Sequence, residues 1–205
     1  MALTRIYLIR HAETTWNNER RYQGTLNSPV SELGWDQSYR TRDALRKAPL
    51  RAIYSSPLAR AQETAHVIAE PHGLPVTSVD GLSEIRVGEW EGLTTSEIEA
   101  RYAEAVQQWY NSPHLARIPG GETIEEMRAR AVAAFAEIRS RHPGQMVAIV
   151  AHGGVNKSII LTALGAPLAS YWRIRQHNAC INVLEYEGAR ARVLLINETG
   201  HLESA

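Results

Sequence analysis

Apolar residues in this chain fall into two alternating patterns. Short, nearly continuous runs rich in β-branched residues occur at "IYLIR" (6–10), "LRAIYSS" (50–56) and "MVAIVAH" (146–152). Runs of that kind predict strands in the middle of a sheet covered on both faces. Between them, helix-like spacing occupies roughly 31–48, 57–71, 94–110, 121–142 and 153–165. In the fourth of these, Thr123 and Glu126 form a Thr-x-x-Glu capping box, and Ile124, Met127, Phe135 and Ile138 recur on one face. Thr94 and Glu97 repeat the start signal in the third. Near the end, "ACINVLEYEGARARVLLIN" predicts two strands around a turn at Glu187-Gly188. The class is therefore α/β: a three-layer sandwich whose mainly parallel central sheet carries an antiparallel edge. A length of 205 residues, without repeats or an evident linker, suits a single domain over 1–205.

Composition narrows the function by exclusion. With 44% hydrophobic residues, 21% charged residues and a formal net charge of zero, the chain has no general attraction to nucleic acid. Any positive site must be local. The single cysteine, Cys180, excludes an intramolecular disulfide and a cysteine-rich zinc site, and its apolar neighbours predict a buried, inert thiol. The histidines at 66, 72, 114, 142, 177 and 201 lack metal-ligand spacing. No apolar run approaches the ~20 residues that span a bilayer, and "MALTRIYLIRH" lacks the features of a signal peptide. A cytoplasmic protein with no membrane partner is expected.

The strand ends carry the chemistry. In open parallel sheets, ligand sites form beyond the carboxyl ends of the strands. Arg10-His11 ends the first run and His152 ends the third, where Gly153-Gly154 permits a tight turn and close backbone approach. In "YSSPLARAQETA", Ser56 reads as an N-cap and Pro57 as part of the first turn, which sets Arg60 near the positive end of a helix. A cation there is electrostatically awkward unless an anion binds. A phosphate ester fits: Arg10 and Arg60 clamp its oxygens, a neutral imidazole attacks, and a carboxylic acid protonates the leaving oxygen. Glu84 is the candidate acid, and spacing alone leaves Glu89 and Glu91 as rivals. "AHGGVNKS" is not a P-loop, because Ala151 and Asn156 stand where that motif needs glycine.

"LIRHAETTWN", "RYQG", "SSPLARAQETA", "LSEIRVGEWEG", "PGGET" and "VAHGG", in that order, span nearly the whole chain. On these motifs it resembles the histidine phosphatase superfamily, in its phosphoglycerate mutase-like phosphatase branch. The resemblance implies that His11 forms a phosphohistidine, that Arg10, Arg60 and His152 bind and polarise the phosphoryl group, and that Glu84 is the acid/base. It further implies that Asn17 contacts the phosphate, Gln23 and Gly24 contact the substrate, and Gly153 offers a backbone amide. Neither metal nor cofactor is implied. Ala12 departs from the glycine most common after the nucleophile.

A small helical lobe, at about 86–120, is expected over the site. The brevity of the segment between Glu84 and Gly120 resembles the phosphatases rather than the longer phosphoglycerate mutases. The expected function is thus a metal-independent phosphomonoesterase acting on small phosphorylated metabolites. A cofactor-dependent phosphoglycerate mutase and a non-catalytic phosphate-binding or scaffold protein are the alternatives. Trp16, Tyr22, Trp90, Trp109 and Tyr110 fill the core or line the substrate mouth, and Arg117 is a candidate contact to the non-phosphate part. The final hairpin and the "NETGHLESA" tail offer an edge for a homodimer.

Overall fold

The computed structural model describes residues 2–203, so Ser204 and Ala205 of the tail, like Met1, lie outside the described residues. Six strands, β1 (Leu3–Arg10), β2 (Leu50–Ser55), β3 (Val76–Ser78), β4 (Met146–Ala151), β5 (Ile181–Glu187) and β6 (Arg190–Glu198), form one sheet in the order β3-β2-β4-β1-β5-β6. β1 to β4 run parallel, β5 is antiparallel to β1, and β6 is antiparallel to β5. The helices are α1 (Thr15–Asn18), α2 (Glu32–Leu45), α3 (Ala59–Ala69), α4 (Thr95–Asn111), α5 (Ile124–Arg141) and α6 (Gly153–Leu164).

The period-two alternation of the strands divides the core into the two sides of a sandwich. On one face, Ile6 and Leu8 of β1 join Val147 and Ile149 of β4 in a cluster with Met127 and Ala131 of α5 and Ile159 of α6. On the other, Ile9, Ile53, Ala148 and Val150 join Leu45 of α2 and Ala61, Ala65 and Ile68 of α3. Each fully buried Ile or Leu contributes about 1.5–3 kcal/mol. This two-sided burial explains why β1, β2 and β4 read as nearly unbroken apolar runs. The residues spaced along α5, namely Ile124, Met127, Phe135 and Ile138, are all buried, and both predicted capping boxes form.

Between β3 and α5, a short 3-10 turn at Gly88–Trp90 and the kinked α4 build the lobe. Its centre is aromatic: Trp90 and Trp109 are buried edge to face with ring centroids 5.9 Å apart. Tyr22 packs edge-on against Trp90, whereas Tyr110 is exposed. At the far edge, β6 pairs with β5 through two register shifts and exposes Leu194, Leu195 and Ile196. No helix among the described residues is long and apolar enough to cross a membrane.

Candidate active site

Parallel register sets three strand ends side by side. Arg10 lies opposite Ala151 and Ser55 opposite Val150, so the residues following β1, β2 and β4 converge on one edge of the sheet. A cavity of about 400 Å³ opens there, lined by Arg10, His11, Asn17, Gln23, Gly24 and Arg60 from the first third of the chain. Glu84, Gly153 and Gly154 line it as well. His152 lies just behind, fully buried, with its ring 5.2 Å from that of His11. The residues expected to bind or transform the phosphoryl group are thus at this one place.

His11 is 3% exposed and its orientation is determined locally. Nδ1 lies 2.7 Å from the Ala12 carbonyl oxygen, which can only accept, so Nδ1 carries the hydrogen and Nε2 keeps its lone pair. The backbone pins the residue from both sides: His11 N–H donates to the Ala151 oxygen, and the His11 oxygen accepts from Ala179 N–H. Burial, and then the nearby Arg60 and Arg10 guanidiniums, hold the imidazole pKa well below the usual histidine value. The ring is therefore neutral at physiological pH. Ala12 is fully buried and does not occupy the left-handed region, and its N–H donates to Thr64 Oγ1. A methyl group is accommodated there without backbone strain.

Two cations, Arg60 buried and Arg10 half-buried, face the cavity without an ion-paired carboxylate among the described residues. Arg60, 1% exposed, donates to the carbonyls of Leu26 and Gly24, both at 2.8 Å, and burial lowers its pKa to about 10. Arg10 donates to the Gln176 carbonyl at 2.7 Å. The Nε of each guanidinium is buried without a partner among the described residues. Arg60 reaches this place differently from expectation. α3 begins at Ala59 with Leu58 as its N-cap, and Ser56 does not cap it. Instead Ser56 Oγ accepts the Leu58 N–H at 3.3 Å and lies 2.7 Å from Nε2 of His152. Burial, followed by the charges of Arg60, His11 and Arg10, also holds the His152 pKa well below its ordinary value.

These two histidines predict how stability responds to acid. In the unfolded chain each titrates near 6.5, whereas in the folded protein each stays neutral to lower pH, so the unfolded state binds more protons as pH falls. Stability is expected to be lost as pH drops below about 6.5, with a slope approaching ~2.7 kcal/mol per pH unit from the pair. Urea midpoints measured between about pH 7 and pH 5 test this. A flat midpoint across that interval would contradict it.

The three candidate glutamates separate cleanly. Glu91 accepts from the Thr25 N–H and hydroxyl at 2.9 and 3.0 Å, so it anchors the Gln23-Gly24 loop. Gly24, at φ +53°, has no room for a side chain: an added Cβ would lie 2.3 Å from Glu91 Oε1. Glu89 accepts from the Tyr102 hydroxyl in the lobe. Only Glu84 lines the cavity. Its Oε1 accepts from Ile85 N–H at 2.9 Å and its Oε2 from Gly154 N–H at 3.0 Å. The close approach predicted for Gly153-Gly154 belongs to the second glycine. A Cβ on Gly154 would lie 2.4 Å from Glu84 Oε1, whereas one on Gly153 would make ordinary contact, and neither residue has a positive φ.

The strand of chain carrying Glu84 is tied down by an ion pair. Arg130 of α5 donates to both carboxylate oxygens of Glu122, each at 2.8 Å, and to the carbonyls of Gly81, Ser83 and Glu84. Glu122, the glutamate of "PGGET", is 3% exposed and its carboxylate also faces the Arg86 N–H. That motif therefore supports the acid rather than touching the cavity. On the opposite side, Asn17 Oδ1 accepts from Thr14 N–H and from Asn178 Nδ2, which leaves its Nδ2 amide for a ligand. Gln23 is buried with Oε1 unpartnered.

Sequence reasoning missed part of the wall. Lys157, Tyr171, Trp172 and Gln176 line the cavity from beyond the lobe, as do Arg20 and Arg21 at the mouth. Arg117, expected to reach the substrate, is exposed and does not line it. Cys180 is buried and its thiol pKa is pushed up to about 11, mainly by burial, in keeping with an inert thiol.

Comparison with known proteins places this arrangement. The chain is 35% identical over 200 residues to phosphoserine phosphatase 1 of Hydrogenobacter thermophilus, spanning 98% of this chain and 95% of that one. It is 34% identical to a metal-independent phosphoserine phosphatase of Arabidopsis thaliana, over 98% of this chain and 84% of the relative. Among solved structures, Bacillus stearothermophilus YhfR superposes with a TM-score of 0.94 at 34% identity, covering 98% of this chain and all of that one. The model of the histidine phosphatase superfamily (branch 1) matches residues 6–199, and this chain belongs to that superfamily.

Proposed function

We propose that this protein is a metal-independent phosphomonoesterase of small phosphorylated metabolites, working through a phosphohistidine at His11. One observation carries the reading: a neutral, tautomer-fixed imidazole faces a cavity in which two guanidiniums have no ion-paired carboxylate among the described residues and one carboxylate, Glu84, stands nearby. A phosphoryl group supplies the negative charge that Arg10 and Arg60 lack, and it sits where His11 Nε2 can attack in line. His152 takes the Ser56 hydroxyl hydrogen at Nε2 and presents Nδ1–H to the charge that develops on the phosphoryl oxygens.

The reaction runs in two halves. His11 Nε2 attacks phosphorus as the P–O bond to the alcohol breaks, and the Glu84 carboxyl gives its proton to the departing oxygen. Water then attacks the phosphohistidine, Glu84 takes a proton from it, and phosphate leaves with both groups restored. Asn17, Gln23, Gly24 and the Gly153 amide hold the substrate, and the lobe over 86–120 roofs the site within one domain. A cytoplasmic setting, and a second copy of the chain at the β6 edge, belong to the same reading.

Incubation with p-nitrophenyl phosphate in excess EDTA tests the proposal. Stoichiometric, multiple-turnover release of phosphate is the expected outcome. A requirement for added metal ion would overturn it, and interconversion of 2- and 3-phosphoglycerate faster than phosphate release would replace it with a mutase.

A further inference from the structure

Beyond the phosphate clamps three more cations line the cavity: Arg20, which is exposed, Arg21, which pairs with Glu19 and Glu97, and Lys157. Lys157 sits on α6, one turn beyond Gly153 and Gly154, and lines the same cavity as they do. Its ammonium lies 4.0 Å from the centre of the Trp172 ring and 4.8 Å from that of Tyr171. No carboxylate among the described residues comes within ion-pairing distance of it. Aromatic faces offset part of the cost of drawing this charge from water. They do not replace an anion. Burial, with repulsion from Arg10, brings its pKa down to about 8, against a smaller raising effect of Glu84.

Position says which end of a substrate would meet it. Gly154, the residue one turn before Lys157, holds Glu84 through its N–H, and Glu84 serves the departing oxygen in the reading above. Lys157 is thus on the leaving-group side. At about 400 Å³ the cavity has the size of a small-molecule site rather than of a phosphate pocket alone. Its chemistry also differs from that of the clamps. Two planar guanidiniums suit the several oxygens of a phosphate, whereas one compact ammonium suits a single charge.

We propose that Lys157 is a specificity-determining residue that binds a carboxylate carried by the leaving group, so that the preferred substrates are phosphate monoesters of hydroxy acids. The inference rests on the phosphatase reading and narrows its substrate class. Tyr171 and Trp172 fix the ammonium in the cavity wall by cation–π contact.

The test is a selectivity ratio, which cancels differences in the fraction of folded enzyme. O-Phospho-L-serine and O-phosphoethanolamine differ by one carboxylate, as do 3-phosphoglycerate and glycerol 3-phosphate. Wild-type enzyme is expected to favour the carboxylated member of each pair by about tenfold or more in kcat/KM, the discrimination that one charged hydrogen bond supplies. Lys157→Met should collapse the ratio by a similar factor, mainly through KM, and Lys157→Arg should restore most of it.

Arg10 and Glu84 are the charges that act on this ammonium and Tyr171 is in contact with it, while His11, Arg20, Arg21, Tyr22 and Arg60 line the same cavity. Since Lys157 must be protonated to bind, the wild-type ratio for 3-phosphoglycerate should fall towards the methionine variant's as pH rises past about 8. Hydrolysis with a ratio that Lys157→Met leaves unmoved would overturn the inference alone. No release of phosphate from any monoester would overturn the phosphatase reading and this inference with it.

Discussion

His11→Ala is expected to lower kcat by about 10⁴-fold or more and to leave a folded protein. The first half follows from the loss of the proposed nucleophile, since Nε2 of the neighbouring His152 is engaged by Ser56 at 2.7 Å. The second half follows from how little the fold draws on the ring. Its one hydrogen bond is to the adjacent carbonyl, at 2.7 Å, while the backbone bonds to Ala151 and Ala179 do not depend on the side chain. The sharper measurement is a base-quenched single turnover. Wild-type enzyme is expected to yield an acid-labile, base-stable phosphoenzyme, and the alanine variant none. Residual turnover near the wild-type rate, or a phosphoenzyme formed on another residue, would refute the assignment of the nucleophile.

Glu84→Gln has the second-largest effect, and its signature is a dependence on the leaving group. For alkyl phosphates, whose alkoxide needs a proton, kcat falls by about 10²–10⁴-fold. With p-nitrophenyl phosphate the nitrophenolate departs without one, so the first half-reaction is spared while attack of water, which still needs a base, is slow. Rapid mixing should therefore show a burst of one equivalent of nitrophenolate followed by a slow steady state. The amide adds a geometric penalty, because both Glu84 oxygens accept backbone N–H groups and the new NH₂ must face one of them. Equal loss on alkyl and aryl substrates in the first turnover would remove Glu84 from the role of acid.

Much of this site was legible from residue order because parallel strands advertise themselves. β1 and β4 are buried on both faces, so their sequences are apolar until the chain leaves the sheet, and Arg10, His11 and His152 mark those exits. Glu84 was harder. Three glutamates crowd one loop, and what distinguishes them is the company each keeps: Thr25 for Glu91, Tyr102 for Glu89, and the Gly154 amide for Glu84. None of these partners is near in sequence. The resemblance chose among them where spacing could not.

Ser56 and Lys157 show the other kind of limit. A serine before a proline reads locally as a helix cap, yet its hydroxyl is drawn to a histidine on the next strand of the sheet, and α3 starts later. Helical spacing sets Lys157 on the same face as Gly153, but it does not reveal that a 3-10 turn at Leu168–Arg173 delivers Tyr171 and Trp172 against it. Local pattern names the face of an element. What that face meets is decided by tertiary packing.

The sheet order has a consequence for how the enzyme comes into being. β1 and β2 are made early, but they are not neighbours: β4 separates them, and it is synthesised only after the lobe and α5. A nascent chain therefore carries the nucleophile and one arginine on one strand and the second arginine beyond another, with an unfilled slot between two apolar edges. Filling that slot with β4 aligns Arg10 with Ala151 and Ser55 with Val150. Catalytic competence and completion of the core are reached together, and a partly made chain has neither.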